Sequence, residues 1–136
     1  MHYDLSALPN WLDSETSALV KDKINLLLAR HPTILAIILY GSIARHEERS
    51  LDEPDPSDVD LLAIVDGDRA AIRSQEAALF YTMGLAENIH LQAPREVNML
   101  FSSCTLQEWD PTFVANVARD GIVLYQRGPL PALFAA

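Results

Sequence analysis

Two rhythms of apolar residues run along this chain and divide it into elements. Between Ser14–Arg30, Val20, Ile24, Leu27 and Leu28 recur at helical spacing, with Asp13 or Ser14 available as N-cap and Pro32 closing the segment, so a helix is expected there. The run Ile34–Tyr40 is continuously apolar, rich in β-branched residues and ended by glycine, which suits a strand buried on both faces. Val59–Val65 reads as a second such strand. Asp66, Gly67 and Asp68 then form a turn and cap before a long helical pattern with Ile72, Leu79, Met83 and Ala86 on one face. A third strand is expected over 96–101, with Val97, Met99 and Phe101 on one side and Glu96 and Asn98 on the other. A helix over Pro111–Asp120, ended by Gly121, and a short strand over 122–125 complete the pattern. Strands alternating with helices predict an α/β (α+β) domain, with helices flanking one sheet.

The stretch 46–56 breaks these rhythms. It carries five carboxylates and two prolines with a single large apolar residue, and reads as a solvated loop within the domain. The expected organisation is one domain over 1–136: an N-terminal helical part to residue 32, a core over 33–128, and a tail over 129–136. A chain of 136 residues with 49% hydrophobic content can build one core without disulfides or structural metal. Cys104 is the lone cysteine and no Cys/His cluster has metal-ligand spacing, which fits a reducing compartment. The start of the chain lacks a secretory pattern and no apolar stretch is long enough to span a membrane, so a soluble, cytoplasmic protein without membrane contact is expected. A net charge of -9 argues against direct, sequence-independent nucleic-acid binding. Any nucleotide handled here is expected to be small or bridged by metal.

The chemistry concentrates between the first two strands. Asp58 and Asp60 are two apart, so on extended backbone their carboxylates project to one side. Two like charges facing the same space repel, and a hard divalent cation relieves the repulsion. Magnesium, or manganese, is typically held by one or two carboxylates and completed by substrate phosphates. Gly41 allows the backbone to turn sharply after the strand and approach a phosphate closely. Ser42 adds a hydroxyl, Arg45 lies about one helical turn later, and Ser57 directly precedes the acidic pair. Taken alone, an Asp-x-Asp after a loop is most often a solvated strand start, and Gly-Ser is weaker still. The information lies in their combination across two buried strands.

Tyr40-Gly41-Ser42-Ile43-Ala44-Arg45 followed by Ser57-Asp58-Val59-Asp60-Leu61-Leu62 resembles the nucleotidyltransferase superfamily related to DNA polymerase β, and within it the minimal nucleotidyltransferase branch. The late segment 121–128 resembles the end of that family's domain. The resemblance implies the nucleotidyltransferase fold, a small mixed β-sheet flanked by helices. It also implies phosphate binding at Gly41 and Ser42, with Arg45 and Ser57 beside them, and divalent metal on Asp58 and Asp60. The family's third carboxylate falls here on Asn98, which can ligate a metal through its carbonyl but cannot act as a general base. Glu96, two residues earlier on the same side of the strand, is the alternative catalytic carboxylate. Two further departures are the 15 residues separating Ser42 from Asp58 and His46 where a glycine is frequent.

The activity implied is magnesium-dependent transfer of a nucleoside monophosphate, AMP from ATP, to a hydroxyl acceptor. Small single-domain members of this branch pair with a HEPN-type helical toxin, so an antitoxin that modifies a tyrosine of such a partner is the leading expectation. The alternative is a degenerate module that keeps the fold and neutralises its partner by binding alone. A small-molecule, aminoglycoside-like transferase ranks below both, because the acceptor wall would have to come from a homo-oligomer or a partner. The bland readings concern residues outside this site: His31 as an exposed helix end, His2, His46 and His90 without partners, Cys104 as a small buried hydrophobe, and Trp11 and Trp109 as packing or contact residues.

Overall fold

The structure is a computed structural model that describes residues 3–106, 109–128 and 130; the tail expected over 129–136 lies outside them except for Leu130. The chain runs α1 (Ser14–Arg30), β1 (Ile34–Tyr40), α2 (Gly41–Ala44), β2 (Val59–Val65), α3 (Arg69–Glu87), β3 (Val97–Ser102), α4 (Pro111–Asp120) and β4 (Ile122–Gln126). The four strands form one sheet in the order β3-β2-β1-β4, antiparallel at both sides of β1 and parallel between β2 and β3. This is the mixed sheet of a nucleotidyltransferase fold, flanked by helices.

The apolar run of β1, and that of β2 after Asp60, follow from burial on both faces. Ile37, Leu39, Leu61 and Ala63 pack with Val20, Ile24 and Leu27 of α1 and Leu79 and Met83 of α3. Ala36, Ile38, Leu62 and Ile64 point the other way, against Val114 and Val117 of α4. Helix starts are capped by side chains: Asp13 accepts from the Thr16 N–H, Asp68 from Ala71, and Asp110 from Thr112 and Phe113. Between Asp13 and Ser14, the cap is therefore Asp13.

β3 begins and ends one residue later than the hydrophobic alternation predicts. Its neighbour Arg95 is drawn inward, while the Glu96 carbonyl already accepts the Val59 N–H at 2.8 Å. His2 lies outside the described residues; the other three histidines depart from their bland readings, His46 by stacking on Trp11. The His31 ring meets the Thr82 hydroxyl at 2.9 Å, and that hydroxyl donates to the Ala78 carbonyl, so the imidazole is fixed on α3. Burial, with the nearby Arg30 charge, lowers the His31 pKa. His90 meets Asp22 at 2.6 Å. Cys104 is half-buried rather than buried.

The least expected core residue is Lys23, which is only 1% exposed between α1 and α3. Its stem lies in the interface and its ammonium donates to the Met83 carbonyl at 2.8 Å and to Glu87 Oε1 at 3.0 Å, at the last turn of α3. Glu87 can be resolvated if this contact is lost, whereas the Met83 carbonyl would be left without a side-chain donor. Lys23→Ala is therefore expected to lower unfolding free energy by about 2–4 kcal/mol in urea titration. Lys23→Met, which keeps the stem, is expected to lose less than half of that. Equal losses in the two variants would show that the ammonium, and not the packing, carries the effect.

Candidate metal and nucleotide site

The site forms where three strands come level. Tyr40, the last residue of β1, pairs with Asp60, and Asp60 pairs in turn with Asn98 of β3. Residues opposite one another share a face, and this row follows Ile38, Leu62 and Leu100 onto the α4 side of the sheet. Tyr40 closes one end of the row by packing edge-on against Phe113 of α4, ring centroids 5.4 Å apart. Burial, aided by the Asp60 charge, pushes the Tyr40 phenol up to about 12.

Asp58 enters from the loop before β2 and accepts a hydrogen bond from Asn98 Nδ2 at 3.0 Å. Burial pushes the Asp60 carboxyl above its ordinary value, hydrogen bonding from Asn98 offsets this in part, Asp58 adds repulsion, and Arg45 counters it. Gly41 follows Tyr40 with φ +81°, and a Cβ placed there would lie 2.6 Å from Asp60 Oδ2. The left-handed backbone calls for glycine, and a Cβ there would also push aside the Asp60 carboxylate, the free end of its side chain. Ser42 completes the turn, and its carbonyl accepts the Glu47 N–H at 2.8 Å.

The other residues singled out in the sequence are distributed unevenly. Arg45 is engaged by Glu47 at 3.3 Å and by Asp120 at 4.0 Å, although its charge is felt at Asp60. Ser57 is buried, its hydroxyl accepting the Arg49 N–H at 2.7 Å, so the expectation that it faces a nucleotide meets a side chain already used to hold the acidic loop. Glu96 is exposed just before β3, in a cleft that it shares with Asn98. Among the described residues no three His, Cys, Asp or Glu gather as a metal-binding group, so Glu96 is not drawn onto the Asp58–Asp60 pair. The donor set that assembles is two carboxylates and one amide. An incomplete oxygen set of this kind fits a hard cation whose remaining ligands come from phosphates and water.

Sequence reasoning missed the residues that hold these parts in place. The Trp11 indole N–H donates to the Ile43 carbonyl at 2.8 Å, and its ring stacks on His46 at 4.4 Å. His46 has φ +57°, the left-handed backbone that explains why glycine suits this position, and the stack supports the imidazole there. Two residues on, Asp13 uses one oxygen to cap α1 and the other to accept from Arg95 Nε at 3.2 Å, while Arg95 donates to the Ser57 carbonyl at 2.7 Å. The segment 11–13 thus ties down both the turn after β1 and the backbone before Asp58. Nothing local announces this, since the partners lie 32 and 82 residues apart.

Two outcomes follow from this geometry. Gly41→Ala is expected to cost about 1–2 kcal/mol from the left-handed backbone alone and to displace Asp60 as well; unchanged stability in urea titration would contradict the close approach. For Asp60, a folded pKa above the ordinary carboxylate value means that its contribution to stability is full below that ordinary value and is lost as pH rises through the raised one. Asp60→Asn is therefore expected to raise the thermal midpoint at pH 7 without divalent metal and to flatten the fall in stability on the alkaline side of pH 4. Magnesium is expected to raise the midpoint of the natural chain but not of the variant, as followed by circular dichroism.

Comparison with known proteins places the chain by family and fold. A family model described as polymerase beta, nucleotidyltransferase matches residues 22–129. Among solved structures, a toxin-antitoxin with AMP-PNP is similar at 19% identity and TM-score 0.51, covering 90% of this chain and 82% of its own. A candidate nucleotidyltransferase from Sulfolobus solfataricus aligns at 17% identity and TM-score 0.49 over 82% and 81% of the two chains. A mutant form of the toxin-antitoxin MntA-HpeT aligns at 20% identity and TM-score 0.49 over 82% and 76%. No curated protein gives a significant match in sequence. With the family model spanning most of its length, the chain belongs to the polymerase beta nucleotidyltransferase family.

Proposed function

We propose that this protein transfers a nucleoside monophosphate, AMP from ATP, to a hydroxyl group on a partner protein, the new phosphoester forming as the α–β phosphoanhydride bond breaks and pyrophosphate leaves, and that it acts as the antitoxin of a toxin-antitoxin pair. The observation that carries this reading is the Asp58–Asp60 pair set against Gly41, with Asp60 destabilised as a carboxylate until a cation or proton meets it. A similar fold solved as a toxin-antitoxin with AMP-PNP supports an adenine nucleotide and a toxin as partner; that the toxin is a helical protein of HEPN type is part of the proposal.

Under this reading Asp58 and Asp60 hold magnesium or manganese, with the Asn98 carbonyl available beside them. The metal, when bound, neutralises charge on the triphosphate and orients it for in-line attack. Gly41 and Ser42 let the phosphates approach the backbone, and Arg45 exchanges its ion pairs with Glu47 and Asp120 for phosphate oxygens. Asn98 cannot take the acceptor's proton. Glu96, exposed in the cleft that reaches Asn98, is the carboxylate assigned that step.

A second reading is favoured by one observation. Asn98 already satisfies Asp58 with a hydrogen bond, as expected of a site that has become a stable structural pair in a binding module. Incubation with magnesium, α-labelled ATP and the protein encoded by the neighbouring gene separates the two. The catalytic reading expects label on the partner, its loss by more than about a thousandfold in Asp58→Ala and Asp60→Ala, and a fall of about a hundredfold in Glu96→Gln. No transfer, together with partner binding that survives all three substitutions, would establish the module instead.

A further inference from the structure

The loop between α3 and β3 carries the most exposed large apolar residues of the described chain, Leu91 at 84% and Ile89 at 72%. They are not on a free-running segment. Between them His90 is held to Asp22 of α1 at 2.6 Å, and the backbone turns on the Ile89 N–H to Ala86 carbonyl and Ala93 N–H to His90 carbonyl bonds. The result is a ridge pinned at its centre, with one apolar side chain standing on each flank. Held in the open on a fixed turn, the two side chains are available to the apolar groups of a partner.

The surroundings of the ridge define what fits it. On one side a cleft of about 500 Å³ is lined by Glu87, His90, Leu91, Arg95, Glu96 and Asn98, and so runs from the ridge to the row that holds Asp60. On the other side a groove shares Ile89, Leu91 and Glu15. Arg95 is buried on Asp13 and the Ser57 carbonyl, and His90 faces Asp22, so the charge left at the rim is that of Glu15, Glu87 and Glu96. Lys23 touches Glu87 from within, but Glu87 remains 62% exposed. An apolar ridge with an acidic rim selects against phosphate backbones and anionic lipid surfaces. It also selects against a second copy of this chain, whose rim carries the same sign.

We propose that this ridge and cleft are the docking surface for a basic, amphipathic segment of a protein partner, whose apolar side chains seat on Ile89 and Leu91 while its Lys or Arg residues meet Glu15 and Glu87. The surface rests on the transferase reading for one consequence only: a partner seated here delivers its hydroxyl along the cleft toward Asn98 and the aspartate pair. Docking itself requires neither ATP nor metal.

The test uses the whole chain with a fluorescent 20-residue helical peptide of Leu and Lys bearing one Tyr, and a matched peptide with Glu in place of Lys. Anisotropy is expected to show binding of the Lys peptide that weakens with salt, no binding of the Glu peptide, and at least a tenfold loss in the double variant Ile89→Ser, Leu91→Ser. Glu15→Lys is expected to weaken binding severalfold. These side chains are so exposed that folding should be unaffected, which circular dichroism checks. Equal binding by the double variant would overturn the proposal, as would binding of a single-stranded RNA or an anionic vesicle in preference to the peptide. A natural dimer that becomes monomeric in the double variant would also overturn it by assigning the ridge to self-association. MgATP binding, measured in parallel by calorimetry, should be the same in natural and ridge-variant chains. Its absence in both would remove the transferase reading while leaving the docking result to stand alone.

Discussion

The structure turns on the contact between the Asp60 carboxylate and a backbone that has no Cβ at Gly41. Antiparallel pairing puts Tyr40 opposite Asp60, so the residue after Tyr40 must turn away at the point where a charged group arrives from the next strand. A side chain there would occupy the space of the carboxylate oxygen. Glycine accepts the turn and leaves the carboxylate in place. The turn brings the backbone against a carboxylate that burial disfavours as an anion. Fold and site therefore share a single constraint.

That constraint must be held from outside, because neither loop next to it is regular. The segment 11–13 does this with an indole N–H at the Ile43 carbonyl and a carboxylate that divides its oxygens between the start of α1 and Arg95. Arg95 then holds the Ser57 carbonyl, one residue before Asp58. A short stretch ahead of the first helix sets the separation between two motifs that lie far from it in the chain. The arrangement also explains why a charged residue just before β3 is buried: its guanidinium is satisfied at Asp13 and at a backbone carbonyl, the two conditions under which burial of a cation is tolerated.

Most of the scaffold was legible in the sequence because its signals are local. α1, β1, β2 and α4 start and stop where runs of apolar residues meet caps, prolines and glycines, and strands buried on both faces announce themselves by an absence of polar breaks. Gly41-Ser42 and Asp58-x-Asp60 were weak signals singly; their places at the end of β1 and the start of β2 predicted that they meet, and the structure sets Gly41 against Asp60. What escaped was set by distance along the chain. Lys23 reads as a polar position on an amphipathic helix, and nothing near it shows that the end of α3 will cover it. His31 and His90 look unpartnered until α3 and α1 are laid side by side, and Ser57 looks accessible until Arg49 and Arg95 fold onto it. Strand order and the parallel pairing of β2 with β3, which bring Asn98 level with Asp60, are likewise products of packing rather than of pattern.

Asparagine at that level has a physical logic of its own. A third carboxylate beside Asp58 and Asp60 would add like charge to a half-buried site that already disfavours Asp60 as an anion, and the apo chain would bear that strain whenever metal was absent. An amide removes the third charge and supplies a donor, which Asn98 gives to Asp58. The gain is a site that stays formed without its cation; the loss is a group able to accept a proton. On the proposed transfer reading the base must come from elsewhere, and Glu96, exposed in the cleft it shares with Asn98, is the carboxylate assigned that step. On that reading, a base on the approach path rather than beside the metal would tie proton removal to the arrival of the acceptor, so such a site would be most competent with its partner seated.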